Sequence, residues 1–228
     1  MEIDVLASGS RGNCYRISDG ASSLLLECGI PFAMIQRGLH FRTSDISGCL
    51  VTHRHGDHAK CAAEMIRRGI HIYGPEDVAA HYPGTTVLQP LKRYHIASFD
   101  VMAINVVHDV PCYSYLAYSR ERQEMLAYIT DTPYLPYTIP GINYLMVEAN
   151  HSKELLRANA ANGIIHRTLA ERIVKTHMSI ESAMELIKSN DMRHCKQVHL
   201  LHLSDSNSDA EAFRDAVEKL TGAEVYVH

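Results

Sequence analysis

The run Thr52-His53-Arg54-His55-Gly56-Asp57-His58 constrains this chain more than any other stretch. It follows directly on an apolar segment, 48–51, that reads as a buried strand. In an extended segment residues two apart point the same way, so His53 and His55 aim two imidazoles at one ion. Asp57 and His58 follow as the chain turns into a helix predicted over 58–68, which swings them toward a neighbouring ion. These four donors make half of a two-metal site. A chain of this composition and length produces such a run by chance in about three of a thousand cases. Read blandly, the run is a histidine-rich surface loop. Read as a metal site, it demands a fold that brings further ligands from other strand ends.

Three residues qualify. His108 follows the apolar strand predicted over 101–107, Asp131 follows 125–130, and His202 lies near the end of 197–203. Each alone reads as an ordinary capped or hydrogen-bonded loop residue; with the histidine run they complete a ligand set. Mixed imidazole and carboxylate ligation suits zinc first and manganese second. Two such ions, roughly 3.5–4 Å apart, lower the pKa of a shared water and stabilise both attacking and leaving oxygens. The nucleophile is then a metal-bound hydroxide, and no serine or cysteine nucleophile is required.

The rest of the pattern is that of an α/β protein. Strands are predicted over 3–7, 14–17, 23–27, 48–51, 70–73, 101–107, 113–118, 125–130, 144–148 and 197–203. Helices are predicted over 31–39, 58–68, 153–159, 168–175, 180–189 and 209–220, the last opened by a capping box of Ser208 and Glu211. Buried-looking strands in both parts of the chain imply two packed sheets with helices outside them, in a single domain over 1–228. With 46% hydrophobic residues and a net charge of −4, the 228-residue chain is neither disordered nor coated with basic charge. No apolar run approaches the ~18 residues of a membrane span. The opening Met1-Glu2-Ile3-Asp4 is unlike an export signal, so a soluble, cytoplasmic protein without membrane partners is expected. Six cysteines without a Cys-x-x-Cys pair read as reduced core thiols rather than as a zinc knuckle or redox dithiol. The Gly-rich segment with Ser8, Ser10 and Asn13 reads as a hairpin; no helix follows it, so it is not a phosphate-binding P-loop.

The ordered set His53-x-His55-x-Asp57-His58, His108, Asp131 and His202 resembles the metallo-β-lactamase-fold hydrolases. Leu6–Cys14, Thr52–Lys60, His108-Asp109, Thr130-Asp131-Thr132, Glu148-Ala149-Asn150-His151, His177-x-Ser179 and His202-Leu203-Ser204 resemble the YycJ-like branch. That branch is a group of phosphodiesterases that includes DNA exonucleases and is related to tRNase Z. The resemblance implies an αββα sandwich with a dinuclear site along one edge. His53, His55 and His108 would hold the first metal, Asp57, His58 and His202 the second, and Asp131 would bridge them. Asp57 would thereby belong to the catalytic centre; apart from the resemblance, a second copy of the chain, in a homodimer, is among the expected partners. Three departures stand out. Glu27 occupies a position where the family usually has Asp, in support of the metal loop. Thr176-His177-Met178-Ser179-Ile180 replaces Gly-His-Leu-Ser-Asn, and Asn207-Ser208 replaces a paired Asn.

His177 discriminates among reactions. It precedes the helix predicted over 180–189, with Ser179 as N-cap, and a helix N-terminus favours anions. By resemblance to tRNase Z, His177 would contact the scissile phosphate and protonate the leaving oxygen, with Ser179 beside the substrate. The alternative is a histidine that only caps the helix. The stretch 153–175 carries Lys153, Arg157, Arg167, Arg172 and Lys175 against Glu154 and Glu171. It reads either as a phosphate-guiding surface or as a solvated helix face. His151, after an apolar strand, borders the same region. A metal-dependent nuclease, with DNA favoured over RNA, is therefore expected. A small- or cyclic-nucleotide phosphodiesterase is the alternative. A thioester or lactam hydrolase leaves His177 without a role, and a non-enzymatic metal module needs only four closed ligands.

Overall fold

Strand and helix boundaries follow the apolar runs closely. The computed structural model describes residues 1–228. The chain divides into two units, one of Met1–Asn105 with Val110–Glu124, the other of Val106–Asp109 with Met125–His228.

The first unit begins with strands β1 (Glu2–Ala7), β2 (Cys14–Ser18) and β3 (Ser23–Leu26), then helix α1 (Phe32–Gly38) and β4 (Ile46–Leu50). Helices α2 (Gly56–Ala59) and α3 (Ala62–Arg67) precede β5 (Ile72–Gly74), α4 (Glu76–His81) and β6 (Thr86–Val87). Strands β7 (Arg93–Ile96), β8 (Phe99–Val106) and β9 (Cys112–Ser119) follow. Strands β1 to β6 form one sheet in sequence order, antiparallel up to β3 and parallel from β3 onward. Leu24, Leu25 and Leu26 of β3 are all fully buried, which explains an uninterrupted apolar run where a half-exposed strand would alternate. Leu25, Phe32, Ile35, Val51, Met65 and Ile72 belong to one core cluster.

The second unit holds β10 (Glu124–Ile129), β11 (Ile142–Glu148), β12 (Gln197–Leu201) and β13 (Glu224–Val227), paired in parallel. Its helices are α5 (Lys153–Ala161), α6 (Arg167–Thr176), α7 (Ile180–Ser189) and α8 (Ala210–Thr221). Across the chain the strands form two mixed sheets of six and seven, flanked by helices, the architecture expected from the sequence. No helix is long and apolar enough to cross a membrane.

Four local expectations need correction. The helix predicted over 58–68 is broken between α2 and α3: the Asp57 carbonyl accepts the Asn13 N–H, and Cys61 N–H donates to the Cys28 carbonyl instead. The strand predicted to 203 stops at Leu201, because His202 adopts a φ of 56°. Helix α8 is capped by Asp209, which accepts from Ala212 N–H at 3.1 Å, while the Ser208 hydroxyl donates to the Ser204 carbonyl. Cys195 is only half-buried, unlike the other five free thiols. Strands β6, β7 and β13 and helix α4 are too short for their periodicity to be read in sequence.

Candidate functional site

In the first unit the donors gather where β4 runs into α2. His53 Nε2 and His55 Nδ1 lie 2.9 Å apart, a separation that suits two nitrogens on one cation with metal–nitrogen bonds of about 2.0–2.1 Å. His53 Nδ1 is held by the Thr52 hydroxyl at 2.9 Å, which leaves Nε2 as the presented nitrogen. His58 Nδ1 lies 3.3 Å from Glu27 Oε1, and its Nε2 lies 3.4 Å from Asp57 Oδ2. The Asn13 amide sits 3.2 Å from the same Nε2. Glu27 is fully buried, and its second oxygen accepts the Thr52 N–H at 3.2 Å. One carboxylate thus fixes both the loop backbone and the His58 tautomer, as second-sphere partners of metal ligands do.

The Gly-rich hairpin also has a structural task. Asn13 N–H donates to the Asp57 carbonyl at 2.8 Å, and Gly9 N–H and the Tyr15 hydroxyl hold the Asn13 side chain. Gly29 packs so closely that a Cβ there would lie 1.7 Å from the Asp57 carbonyl oxygen. Only glycine fits at that position.

In the second unit the donors sit at or just beyond the C-terminal ends of the parallel strands, where ligands of α/β sheets collect. Asp131 follows β10, Glu148 ends β11, and His202 follows β12. One ligand atom from each of Asp131, Glu148, His177 and His202 lies within 4.8 Å of the others. Glu148, fully buried, places Oε1 at 2.6 Å from His177 Nδ1 and 3.2 Å from His202 Nδ1, and accepts the Met178 N–H through Oε2. Asp131 Oδ1 is 3.0 Å from His177 Nδ1. The His177 and His202 rings stack at 5.2 Å. His108 Nδ1 donates to the Thr176 carbonyl, 3.3 Å away, so Nδ1 carries the proton and Nε2 keeps the lone pair.

Electrostatics and strain mark the same residues. Burial alone would lower the His177 pKa, but the Glu148 charge, helped by Asp131, outweighs it and lifts the imidazole to about 10. Glu148 is held below its usual range by that histidine, against its own burial. Burial lowers the pKa of His151, whose Nδ1 has no hydrogen-bond partner. Of the eight non-glycine residues with positive φ, Glu27 (66°), Asp131 (51°) and His202 (56°) are site residues. Such conformations cost roughly 1–3 kcal/mol each and collect at functional sites.

Each unit therefore assembles its share of the sequence-predicted donors. Ser179 caps α7, its hydroxyl accepting the Ser182 N–H at 3.2 Å. Glu148 is the residue that sequence reasoning left without a role. Its signal was present: an acid closing the apolar strand 144–148 must be paired when buried.

A donor set of histidines and carboxylates at strand ends, on two mixed sheets flanked by helices, defines a metallo-β-lactamase-fold hydrolase, a fold that implies divalent metal ions. The chain belongs to the β-lactamase superfamily: the profile described as "Beta-lactamase superfamily domain" matches residues 24–202. It is 26% identical to exodeoxyribonuclease YycJ of Bacillus anthracis over 237 residues, covering 96% of this chain and 89% of that protein. The crystal structure of the metallo-β-lactamase-fold protein YhfI from Bacillus subtilis is similar at a TM-score of 0.75 and 17% identity, covering 99% of this chain and 95% of that one. Human tRNase Z, short form, is similar at a TM-score of 0.66 and 13% identity, covering 100% and 96%.

Proposed function

We propose that the chain is a phosphodiesterase acting as one domain over residues 1–228, and that its substrate is nucleic acid, DNA before RNA. The observation that carries this reading is His177 held as an imidazolium by Glu148 and Asp131, beside the metal donors of its unit. A positioned, charged imidazole can protonate the oxygen that leaves a phosphodiester. The exodeoxyribonuclease named above, matched over nearly the full length of both chains, supports the choice of DNA.

In this reading His53, His55 and His108 would hold one divalent ion and Asp57, His58 and His202 a second, with Asp131 serving both. Zinc is the ion the donor set favours, with manganese as substitute. When bound, such a pair supplies an activated water and neutralises charge on the phosphate. The chain's own residues do the rest. Glu148 orients His177 and keeps it protonated, and His177 gives its proton to the leaving oxygen. The six free thiols suit a reducing cytoplasmic setting. The net charge of −4 favours a second reading, a small or cyclic nucleotide as substrate.

The test compares His177→Ala with wild type on two esters. On a substrate with an alkoxide leaving group the variant should be slower by roughly 10²–10⁴, the usual contribution of a positioned acid. On bis(p-nitrophenyl) phosphate, whose leaving group needs little protonation, the defect should shrink. A quotient of the two losses near one would mean that His177 is not the acid. Comparable wild-type turnover of nitrocefin and of the phosphodiester would overturn the reaction class.

A further inference from the structure

Beside His108 lies a hollow of ≈ 380 Å³ whose floor is one face of α6. Thr168, Arg172, Lys175 and Thr176 line it at the spacing of a single helical stripe. Arg172 and Lys175 line the hollow together with Asp109 and Glu171, and Arg167, paired to Glu171, makes the bases three to two. Glu171 is engaged by Arg167, with Nε and Oε1 3.1 Å apart. Asp109 reaches Arg172 only at 4.0 Å, and Lys175 has no ion pair. The Arg172 side chain is 63% exposed, so its guanidinium is available to a ligand. The hollow therefore offers two cations to an anion, while the Thr176 hydroxyl is spent on the Arg172 carbonyl at 2.9 Å.

Its position gives that anion an identity. Helix α6 ends on His177, whose N–H donates to the Ile173 carbonyl, so the basic stripe and the acid belong to one rigid element. The Thr176 carbonyl also accepts from His108, and the His108 and His177 rings are 6.2 Å apart. A phosphate held by Arg172 and Lys175 is therefore next to the one that His177 serves. We propose that this hollow binds the phosphate adjacent to the scissile one, making the substrate a polynucleotide rather than a cyclic or single nucleotide. The inference rests on the phosphodiesterase reading above and names its substrate class. Cations in the last turn of a helix also complement its dipole, so the test separates binding from helix stabilisation.

The probe is a fluorescein-labelled dT8 with phosphorothioate linkages, which keep the charge and slow cleavage. Its affinity for the metal-loaded enzyme is read by anisotropy between 50 and 200 mM salt. Arg172→Gln with Lys175→Gln should weaken binding about tenfold at low salt and reduce the log–log salt slope by about 0.7, one phosphate on a single strand. The ratio of kcat/KM on an oligonucleotide to that on thymidine 5′-p-nitrophenyl phosphate should fall about as far. Arg172→Lys with Lys175→Arg should restore the slope. An unchanged slope in the glutamine variant overturns the proposal even if DNA is cleaved, and so does a wild type that does not bind the probe. A reduced slope in an enzyme that cleaves no DNA supports the phosphate site and overturns the nuclease reading instead.

Discussion

Replacing Glu148 by glutamine removes the charge that keeps His177 protonated while changing the side chain's shape very little. A glutamine that keeps its oxygen on the Met178 N–H turns its amide NH₂ toward His177 Nδ1. That nitrogen must then accept rather than donate. The gap between about 10 and the ordinary 6.5 corresponds to about 5 kcal/mol favouring the imidazolium. Glu148 is the leading charge behind the rise and Asp131 supplies the remainder, so the substitution should remove the larger part. That is about 3 kcal/mol, or roughly two pH units of the titration midpoint. The linkage has a definite sign. The folded-state pKa is raised, so this group's stabilisation is complete below about 6.5 and is lost as pH rises through about 10. Imidazole NMR titration of the metal-free protein should show the midpoint drop, and urea unfolding between pH 7 and 9.5 should show a shallower loss of stability in the variant. The alkaline limb of kcat on an alkoxide-leaving substrate should move down with it. If His177 in Glu148→Gln still titrates near the wild-type value, the carboxylate is not what holds the proton.

Elemental analysis after exhaustive dialysis should find about two transition-metal equivalents per chain. Asp131→Ala should disturb both ions and His108→Ala chiefly one; protein that neither zinc nor manganese can reconstitute would end the dinuclear reading. A third expectation lies away from the metal donors. Burial, reinforced by His228, lowers the His199 pKa to about 4, with the two rings joined Nδ1 to Nε2 at 3.1 Å. A depressed pKa contributes stability above about 6.5 that is lost as pH falls toward about 4, here about 3 kcal/mol. His199→Leu should flatten that acid limb in urea titrations, and an unaltered limb would refute the assignment.

The sequence alone carried the local information. Alternating and continuous apolar runs marked ten strands, because side-chain period and burial are properties of neighbouring residues. The histidine run announced its chemistry for the same reason: His53, His55, Asp57 and His58 are close in the chain before they are close in space. His108, Asp131 and His202 were legible as polar residues ending apolar strands. What tertiary structure decided was everything that depends on partners distant in sequence. The Asn13 N–H takes the Asp57 carbonyl, so the helix predicted over 58–68 breaks. The Asp57 carbonyl also sits where a Cβ on residue 29 would be, so that position must be glycine. Glu148 and His177 are 29 residues apart, and only the parallel register of β10, β11 and β12 and the end of α6 bring acid, base and Asp131 together. The charge state of that imidazole is set by two buried carboxylates, and no pattern along the chain encodes a buried pair before the fold creates it.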